Sequence, residues 1–268
     1  MKLAVIAGAA TVVISALMLG LGYQAGVAAT PRAAIVEQPQ APPASGRAAI
    51  ETIVRDYLIA NPEVMLEVQT ALKDKQELAQ RAAQIDVIKT SAEQIFSATE
   101  DGVIGNPQGT TTIVEFFDYN CGFCKRAVAD MDALVAADPD LRVVMKEFPI
   151  LGPDSTQAHI VSGAFRRLMP EKWPQFHAKL IRASGRAGEA SAITVALSLG
   201  ADEAALREAM KSPEIARSIE QTYGLAEQLE ITGTPSYVVG NEVVFGALGK
   251  EVLSEKVAMA RACKDGAC

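Results

Sequence analysis

Between residues 47 and 96 apolar side chains recur every three or four positions, with charged and glutamine residues between them. This spacing predicts amphipathic helices. Asn61 and Pro62 divide a first helix from a second, because proline fits the first turn of a helix but not its interior. The second helix is predicted to run from Pro62 towards Phe96. Its apolar stripe includes Met65, Val68, Leu72, Leu78, Ala82, Ile85 and Ile88.

That apolar stripe must be buried against something. Two interpretations are open: the helices pack on the main domain, or they form an arm that binds a partner or a second copy of the chain.

Runs of β-branched and aromatic residues predict strands later in the chain. Residues 110–117 (TTTIVEFF) and 142–148 (RVVMKEF) flank a helical pattern, which predicts a parallel pair with a right-handed crossover. Residues 101–108, rich in glycine, proline and asparagine, are interpreted as a connector. From residue 155 to about 230 only helices are predicted. Residues 236–245 then predict a hairpin around Gly240 and Asn241, followed by a last helix to about residue 262.

The first 29 residues have the layout of a secretory signal peptide. Lys2 supplies a positive charge, residues 3–21 are uncharged and mostly apolar, and small residues follow up to Ala29. An uncleaved membrane anchor through residues 3–21 is the alternative, because a bilayer span needs about 20 apolar residues. Both interpretations predict an exported, for example periplasmic, chain. Residues 30–46 are rich in proline, alanine and glutamine and predict a flexible linker.

The charge of the chain excludes one class of partner. Its 268 residues carry a formal net charge of −7, and the basic residues are scattered along the sequence. Nucleic-acid binding requires a concentrated basic face. We therefore expect no nucleic-acid partner.

The four cysteines form two close pairs, Cys121 with Cys124 and Cys263 with Cys268. Disulfides persist in exported proteins. Cys121 stands where a strand gives way to a helix, and the dipole of the helix favours a thiolate there. In such Cys-x-x-Cys pairs the pKa of the first thiol falls into the range of about 3.5–7.5. Cys121 is therefore the candidate attacking thiol, and Cys124 is the candidate resolving thiol.

Half of a zinc site is the alternative interpretation of the first pair. A zinc site needs two further ligands. His159 and His177 are the only histidines, and each falls within a predicted helix. We therefore predict neither a metal site nor a cofactor.

Two further features accompany the cysteine pair. Glu115 lies six residues before Cys121, within the predicted buried strand. Thr234 and Pro235 directly precede the predicted hairpin, where a cis proline would leave the backbone of Thr234 free to bind an extended substrate.

Three segments together resemble the DsbA-like branch of the thioredoxin superfamily: FFDYNCGFCKR, VVMKEFPILGPDS and ITGTPSYVVGN. The resemblance spans about residues 97–262 and implies an α/β thioredoxin fold with a helical insertion. It also implies that Cys121 is the nucleophile, that Pro235 is cis and that Glu115 assists proton transfer at Cys124. Thr234, Pro235 and Phe123 are then expected to contact the substrate.

Residues 47–96 resemble the arm of the suppressor-of-copper-sensitivity protein C type, some members of which oligomerise. The expected organisation is a signal peptide or anchor (1–29), a linker (30–46), a helical arm (47–100), a DsbA-like domain (101–262) and a tail (263–268). A structural disulfide between Cys263 and Cys268 is expected in the tail.

The resemblance also leaves a choice open. Strongly oxidising members carry Pro-His between their cysteines, whereas this chain has Gly122 and Phe123. The chain is thus expected to be an exported protein thiol–disulfide oxidoreductase, either an oxidase or an isomerase/reductase. Its expected partners are exported substrate proteins, a membrane redox partner and other copies of itself. One alternative is a copper-tolerance protein that binds metal through the same thiols, which are soft ligands. Another is an envelope interaction protein that acts through its helical arm and whose cysteines are structural.

Overall fold

The computed structural model describes residues 44–97 and 99–264. The predicted signal peptide, most of the predicted linker and the end of the tail lie outside these residues. Two compact units are distinguished, one ending at Leu66 and the other beginning at Glu67. This boundary lies inside the predicted arm. No helix of the described part is long and apolar enough to cross a membrane.

Three helices precede the sheet: α1 (Ala44–Ala60), α2 (Glu63–Thr90) and α3 (Ala92–Phe96). The predicted break after α1 is confirmed. Helix α1 begins within the predicted linker, earlier than expected. The expectation of one helix reaching Phe96 is wrong, because the chain turns at Ser91 before α3. After this turn Ile95 is fully buried.

Five strands form one mixed sheet in the order β1-β3-β2-β4-β5. Strands β2 and β3 pair in parallel, and the other neighbouring pairs are antiparallel. The predicted parallel pair and the predicted hairpin are therefore confirmed. The strands are β1 (Gly102–Gly105), β2 (Thr111–Phe117), β3 (Leu141–Glu147), β4 (Ser236–Val239) and β5 (Glu242–Phe245).

Strand β1 corrects the interpretation of residues 101–108 as a connector. Its four residues include two glycines, which are uncommon in strands. Pairing with β3 holds it in the sheet. A side chain at Gly102 would come within 2.1 Å of the Trp173 ring, so close packing requires glycine there.

Helices cover the sheet and fill the long insertion between β3 and β4. In the described part of the chain, residues 155–230 contain helices and no strand, as predicted. One 3₁₀ turn, Pro170–Lys172, joins two of these helices. The helices are α4 (Gly122–Ala137), α5 (Pro153–Leu168), α6 (Trp173–Arg182), α7 (Glu189–Ser198), α8 (Glu203–Ala209), α9 (Pro213–Gln228) and α10 (Lys250–Lys264).

Successive side chains of a strand point to opposite faces of the sheet, so the core consists of two apolar clusters. Ile113 and Phe117 of β2 belong to the larger apolar cluster, which includes both Cys121 and Cys124. Val114 and Phe116 belong to the smaller cluster, together with Ile88 and Ile95 from the helices before the sheet. Glu115 alternates with Val114 and Phe116, so it faces the larger cluster and the cysteines.

The second half of α2 packs on the domain. Ile88 is buried, and the buried Gln84 side chain donates from Nε2 to the carbonyl oxygen of Leu229 at 2.9 Å. In contrast, Leu72 is 54% exposed and Leu78 is 69% exposed. The predicted apolar stripe therefore divides into a packed end and an exposed stretch.

Candidate active site

Cys121 is the N-cap residue of α4. Its extended backbone follows the end of β2, and its sulfur accepts a hydrogen bond from the Cys124 amide at 3.4 Å. Both cysteines are free thiols; Cys121 is 6% exposed and Cys124 is 1% exposed. The more accessible thiol therefore stands at the positive end of the helix dipole, as expected for the attacking thiol.

The loop before β4 brings Thr234 to the cysteine pair. The peptide bond between Thr234 and Pro235 is cis. The Cys121 thiol donates to the carbonyl oxygen of Thr234 at 3.1 Å, across 113 residues of sequence. Pairing of Ser236 with Phe116 fixes this loop beside the end of β2. The sheet thus brings together the predicted nucleophile and the predicted backbone site for substrate.

Hydrogen bonding separates the acidities of the two thiols. A hydrogen bond from the Cys124 thiol lowers the pKa of Cys121 to about 5; burial opposes this effect, and a hydrogen bond from the Thr234 side chain adds to it. The same bond strongly raises the pKa of Cys124, which burial and the nearby charge of Glu115 raise further. Near neutral pH, Cys121 is therefore a thiolate while Cys124 keeps its proton.

Glu115 lies buried on the cysteine side of the sheet and is 5% exposed. Burial raises its pKa to about 8, and the negative charge of Cys121 adds to the increase. Glu115 and Cys124 line the same cavity. A carboxyl group that titrates near neutral pH can accept the proton of a neighbouring thiol and return it.

Phe123, between the cysteines, is 58% exposed. The guanidinium group of Arg126 lies 4.2 Å from the centre of its ring, a distance typical of a cation–π contact. This contact holds an apolar ring on the surface beside Cys121.

The sequence did not identify Asp118 and Asn120, which order the loop before Cys121. Asp118 is fully buried, and its carboxylate accepts hydrogen bonds from the Asn120 amide at 2.7 Å, the Ser155 hydroxyl at 2.8 Å and the Leu151 amide at 3.0 Å. Asn120 in turn bonds to the backbone of Ala187. The only signal in the sequence is an Asp-x-Asn turn pattern, which is too common to indicate such a network.

The remaining site predictions have separate outcomes. Cys263 lies in α10, but Cys268 lies outside the described residues, so the disulfide between them stays a prediction. Across residues 44–97 and 99–264, no cluster of three or more histidine, cysteine, aspartate or glutamate side chains is arranged to hold a metal ion. His159 and His177 both lie buried in helices, α5 and α6.

Two family models match the chain. The DSBA-like thioredoxin domain matches residues 112–258, and the N-terminal domain of the copper resistance protein ScsC matches residues 47–79. No curated protein matches the chain. The two matches correspond to the predicted domain and to most of the predicted arm.

Solved structures agree with the family match. A thioredoxin-like oxidoreductase from Silicibacter pomeroyi is 40% identical, covers 63% of this chain and 96% of its own, and has a TM-score of 0.60. The thiol-disulfide exchange protein α-DsbA2 from Wolbachia pipientis is 27% identical, with coverages of 68% and 97% and a TM-score of 0.63. BcfH from Salmonella enterica Typhimurium is 24% identical, with coverages of 81% and 96% and a TM-score of 0.70, and supports the fold alone.

Proposed function

The chain belongs to the DSBA-like thioredoxin domain family, and we propose that it exchanges disulfides with exported proteins through Cys121 and Cys124. The observation that supports this most strongly is the position of Cys121. Its sulfur caps a helix and lies 3.1 Å from the Thr234 carbonyl oxygen, beside the cis proline. A low-pKa thiol therefore lies next to a backbone segment suited to binding an extended peptide.

The reaction begins with the Cys121 thiolate. It attacks one sulfur of a substrate disulfide, and the other substrate sulfur leaves as a thiolate. Cys124 then loses its proton to Glu115 and attacks the Cys121 sulfur, which breaks the mixed disulfide. The substrate gains two electrons and the protein is left with a Cys121–Cys124 disulfide. The reverse sequence oxidises a substrate dithiol.

Substrate recognition is assigned to three residues. An extended segment pairs with the free backbone of Thr234 at Pro235, and the exposed Phe123 ring contacts an apolar side chain of the substrate. Backbone pairing contributes affinity without selecting a sequence, which suits an enzyme that acts on many proteins.

The arm is proposed to join copies of the chain into an oligomer. Large apolar side chains are exposed to water along α1 and the first part of α2. Such exposed apolar surface favours association. The match of residues 47–79 to the ScsC N-terminal domain supports a specialised role for this segment. The most exposed of these side chains are Ile53, Tyr57, Ile59, Leu66 and Leu78.

We further propose isomerase activity rather than oxidase activity. Several Cys121 sites in one oligomer would hold a misfolded substrate while one of them attacks it. The same arrangement would keep a membrane oxidase from reaching the Cys121 sites. A membrane reductant would then keep the cysteine pairs in the reduced form. The uncharged dipeptide Gly122-Phe123 agrees with a moderate redox potential.

Export is the proposed location. The signal-like first 29 residues support it, whether they are cleaved or kept as an anchor. A periplasmic thioredoxin-like protein from Salmonella enterica shares the fold, at 25% identity.

Two assays test the proposed function: reduction of insulin, and reactivation of scrambled ribonuclease by the reduced protein. Wild type is expected to be active in both, and Cys121→Ala is expected to be inactive. The matched control replaces both Cys263 and Cys268 by serine and should keep nearly full activity. Equal activity of wild type and Cys121→Ala would refute thiol–disulfide exchange at this site. Oxidation of reduced ribonuclease without reactivation of the scrambled form would identify an oxidase.

Copper binding is the second candidate, favoured by the name of the family that matches the arm, copper resistance protein ScsC. Two adjacent thiols are suitable ligands for Cu(I). Tight binding of Cu(I) that is lost in Cys121→Ala, without turnover of insulin or ribonuclease, would favour this candidate over the first.

A further inference from the structure

A cavity of about 310 Å³ between the sheet, α4 and α6 reaches Cys124. Its walls are mostly apolar, with residues such as Phe117, Val128 and Met131. Besides Cys124, four polar side chains line it: Glu115, Asp132, His177 and Arg182. The proposed reaction uses Glu115 and leaves the other three without a role.

The four polar side chains differ in their access to water. Asp132 of α4 and Arg182 of α6 form an ion pair, and their side chains are 60% and 44% exposed. Glu115 and His177 are only 5% and 6% exposed. The cavity therefore has a charged, solvent-exposed rim and two buried polar groups on its walls.

Glu115 can accept the Cys124 proton only as a carboxylate, so a protonated Glu115 must first release its proton to solvent. Among the described residues no hydrogen bond or ion pair to its carboxyl group is found. The cavity has room for a chain of water molecules, because it is several times larger than the roughly 30 Å³ that one water occupies, and it offers polar partners.

His177 is the second buried polar group on this route. Its Nδ1 atom is buried and has no hydrogen-bond partner in the described part of the chain. The ring is held against Phe117 at 4.9 Å and stacked on Trp173 at 5.2 Å, measured between ring centres. A fixed ring with an unpaired nitrogen beside a cavity is suited to bind water.

The electrostatic surroundings keep this ring neutral. Burial lowers the pKa of His177 to about 3, and electrostatic interactions with His159 and Arg182 lower it further. Asp132, at the rim, and Glu115, on β2, are the acidic groups that share its cavity. A neutral imidazole accepts a hydrogen bond at one nitrogen and donates from the other, so it can pass a proton without holding a charge.

We propose that His177 relays protons between Glu115 and solvent through water in this cavity. The inference rests on the proposed function, because it concerns the step in which Cys124 reacts. The Cys124 proton moves to Glu115 as the Cys124 sulfur bonds to Cys121 and the substrate sulfur leaves. Because the pKa of Glu115 is about 8, its carboxyl group is mostly protonated at neutral pH and must pass its own proton to cavity water before this step; one nitrogen of His177 takes a proton while the other releases one towards the rim. The carboxylate is restored and the ring ends neutral.

The chain offers a matched control in its other histidine. His159 is fully buried, belongs to the same aromatic cluster and lies 5.1 Å from Phe117 between ring centres. Its Nδ1 and Nε2 atoms are also buried without a hydrogen-bond partner in the described part of the chain, with Nδ1 3.2 Å from the Glu147 carboxylate, but His159 does not line the cavity. A loss caused only by disturbing the aromatic cluster should therefore appear in both histidine variants.

The test follows the two steps separately in single-turnover reactions with a disulfide peptide, for wild type, His177→Phe, His177→Ala and His159→Phe. Mixed-disulfide formation at Cys121 should be unchanged in all four. Attack by Cys124 should slow by about tenfold or more at pH 7 in both His177 variants, because Glu115 must first release its own proton through the relay. The loss should shrink above pH 8, where Glu115 is already a carboxylate. Added imidazole should restore the rate of His177→Ala but not that of Glu115→Gln.

Normal attack by Cys124 in both His177 variants, or the same loss in His159→Phe, would overturn the relay. Slowing of His177→Ala that imidazole does not relieve would also overturn it. Thermal unfolding identifies any variant that fails to fold, and His177→Gln then replaces it. Failure of the proposed function has a different signature, because wild type itself would form no mixed disulfide.

Discussion

At the scale of single residues, one hydrogen bond gives the two thiols of the pair opposite roles. The interaction of Cys121 with Cys124 lowers the pKa of the first thiol and raises that of the second. Its geometry depends on Cys121 being the N-cap of α4. The dipeptide between the cysteines contributes no charge, so the acidity of Cys121 comes from the helix start and from its neighbours.

The first prediction concerns the rate of alkylation. Because the pKa of Cys121 is about 5, iodoacetamide should label it with a half-maximal rate near pH 5 and should already be close to its plateau at pH 6. Cys124 should react far more slowly, since it is buried and protonated. Mass spectrometry of labelled peptides after timed quenching measures both rates. A midpoint near the ordinary thiol value of about 8.5, or equal labelling, would contradict the assignment.

The second prediction concerns Glu115 and stability. Its folded-state pKa is raised from 4.5 to about 8, so the folded protein binds more protons than the unfolded chain between these values, and stability falls as pH rises through them. Glu115→Gln removes this penalty. Relative to wild type, the variant should gain roughly 2–3 kcal/mol of unfolding free energy between pH 5 and pH 7.

Urea unfolding of the reduced proteins at both pH values measures that gain. Glu63→Gln, at the start of α2, is the control and should show almost no pH-dependent difference. A constant difference between Glu115→Gln and wild type at pH 5 and pH 7 would show that Glu115 is not strongly perturbed.

At the scale of elements, helices and strands with a strong local sequence pattern can be predicted from the sequence. The strands β2 and β3 and the β4–β5 hairpin follow from β-branched and aromatic runs. Strand β1 could not be predicted, because only its pairing with β3 makes its glycine-rich sequence a strand. The end of α2 at Thr90 was also missed, since the helical pattern continues into α3 and only tertiary packing of Ile95 selects the turn.

The same contrast between local sequence pattern and tertiary packing applies to the candidate site. Cys121, Cys124 and Glu115 were found because a local motif or the family resemblance marks them. Asp118 and the cavity side chain His177 were not, because their surroundings are assembled from segments far apart in sequence. From the sequence, His177 is distinguished only by its place in a predicted helix.

The third prediction concerns the buried ion pair that attaches the segment before β1 to strand β3. Lys146 of β3 is buried and donates to the Asp101 carboxylate at 2.5 Å and to the Gln94 carbonyl oxygen at 2.6 Å. Asp101→Ala leaves a buried ammonium group without its counter-charge, and should destabilise the protein by about 3–5 kcal/mol.

Chemical unfolding compares this variant with Glu77→Ala, which removes the exposed ion pair with Lys73 on α2. The control should lose no more than about 0.5 kcal/mol. Similar losses in the two variants would show that burial of the Asp101–Lys146 pair has no special energetic effect.

At the scale of the whole molecule, the distribution of apolar surface suggests that one chain is not the functional unit. The fourth prediction is that light scattering detects an oligomer of the exported chain. A version beginning at Gln80, which keeps the buried Gln84, Ile88 and Ile95, should be a monomer because the exposed apolar surface is removed. The double variant Leu72→Asp/Leu78→Asp should also be a monomer, because charge on these exposed positions prevents apolar contact.

The matched control is Lys73→Asp/Lys75→Asp, which changes charge on the same helix without removing apolar surface and should stay oligomeric. The monomeric versions should still reduce insulin and should lose reactivation of scrambled ribonuclease. A wild-type monomer, or full ribonuclease reactivation by a monomeric variant, would contradict the role proposed for the arm.

The most direct test of the central claim is to trap the mixed disulfide. Cys124→Ser cannot complete the second step, so on mixing with a disulfide-containing unfolded protein it should accumulate a covalent adduct through Cys121, identified by non-reducing electrophoresis and mass spectrometry. Cys121→Ser should form none, since the buried Cys124 keeps its proton. An adduct through Cys124, or no adduct with either variant, would contradict the claim that Cys121 is the nucleophile of a thiol–disulfide exchange enzyme.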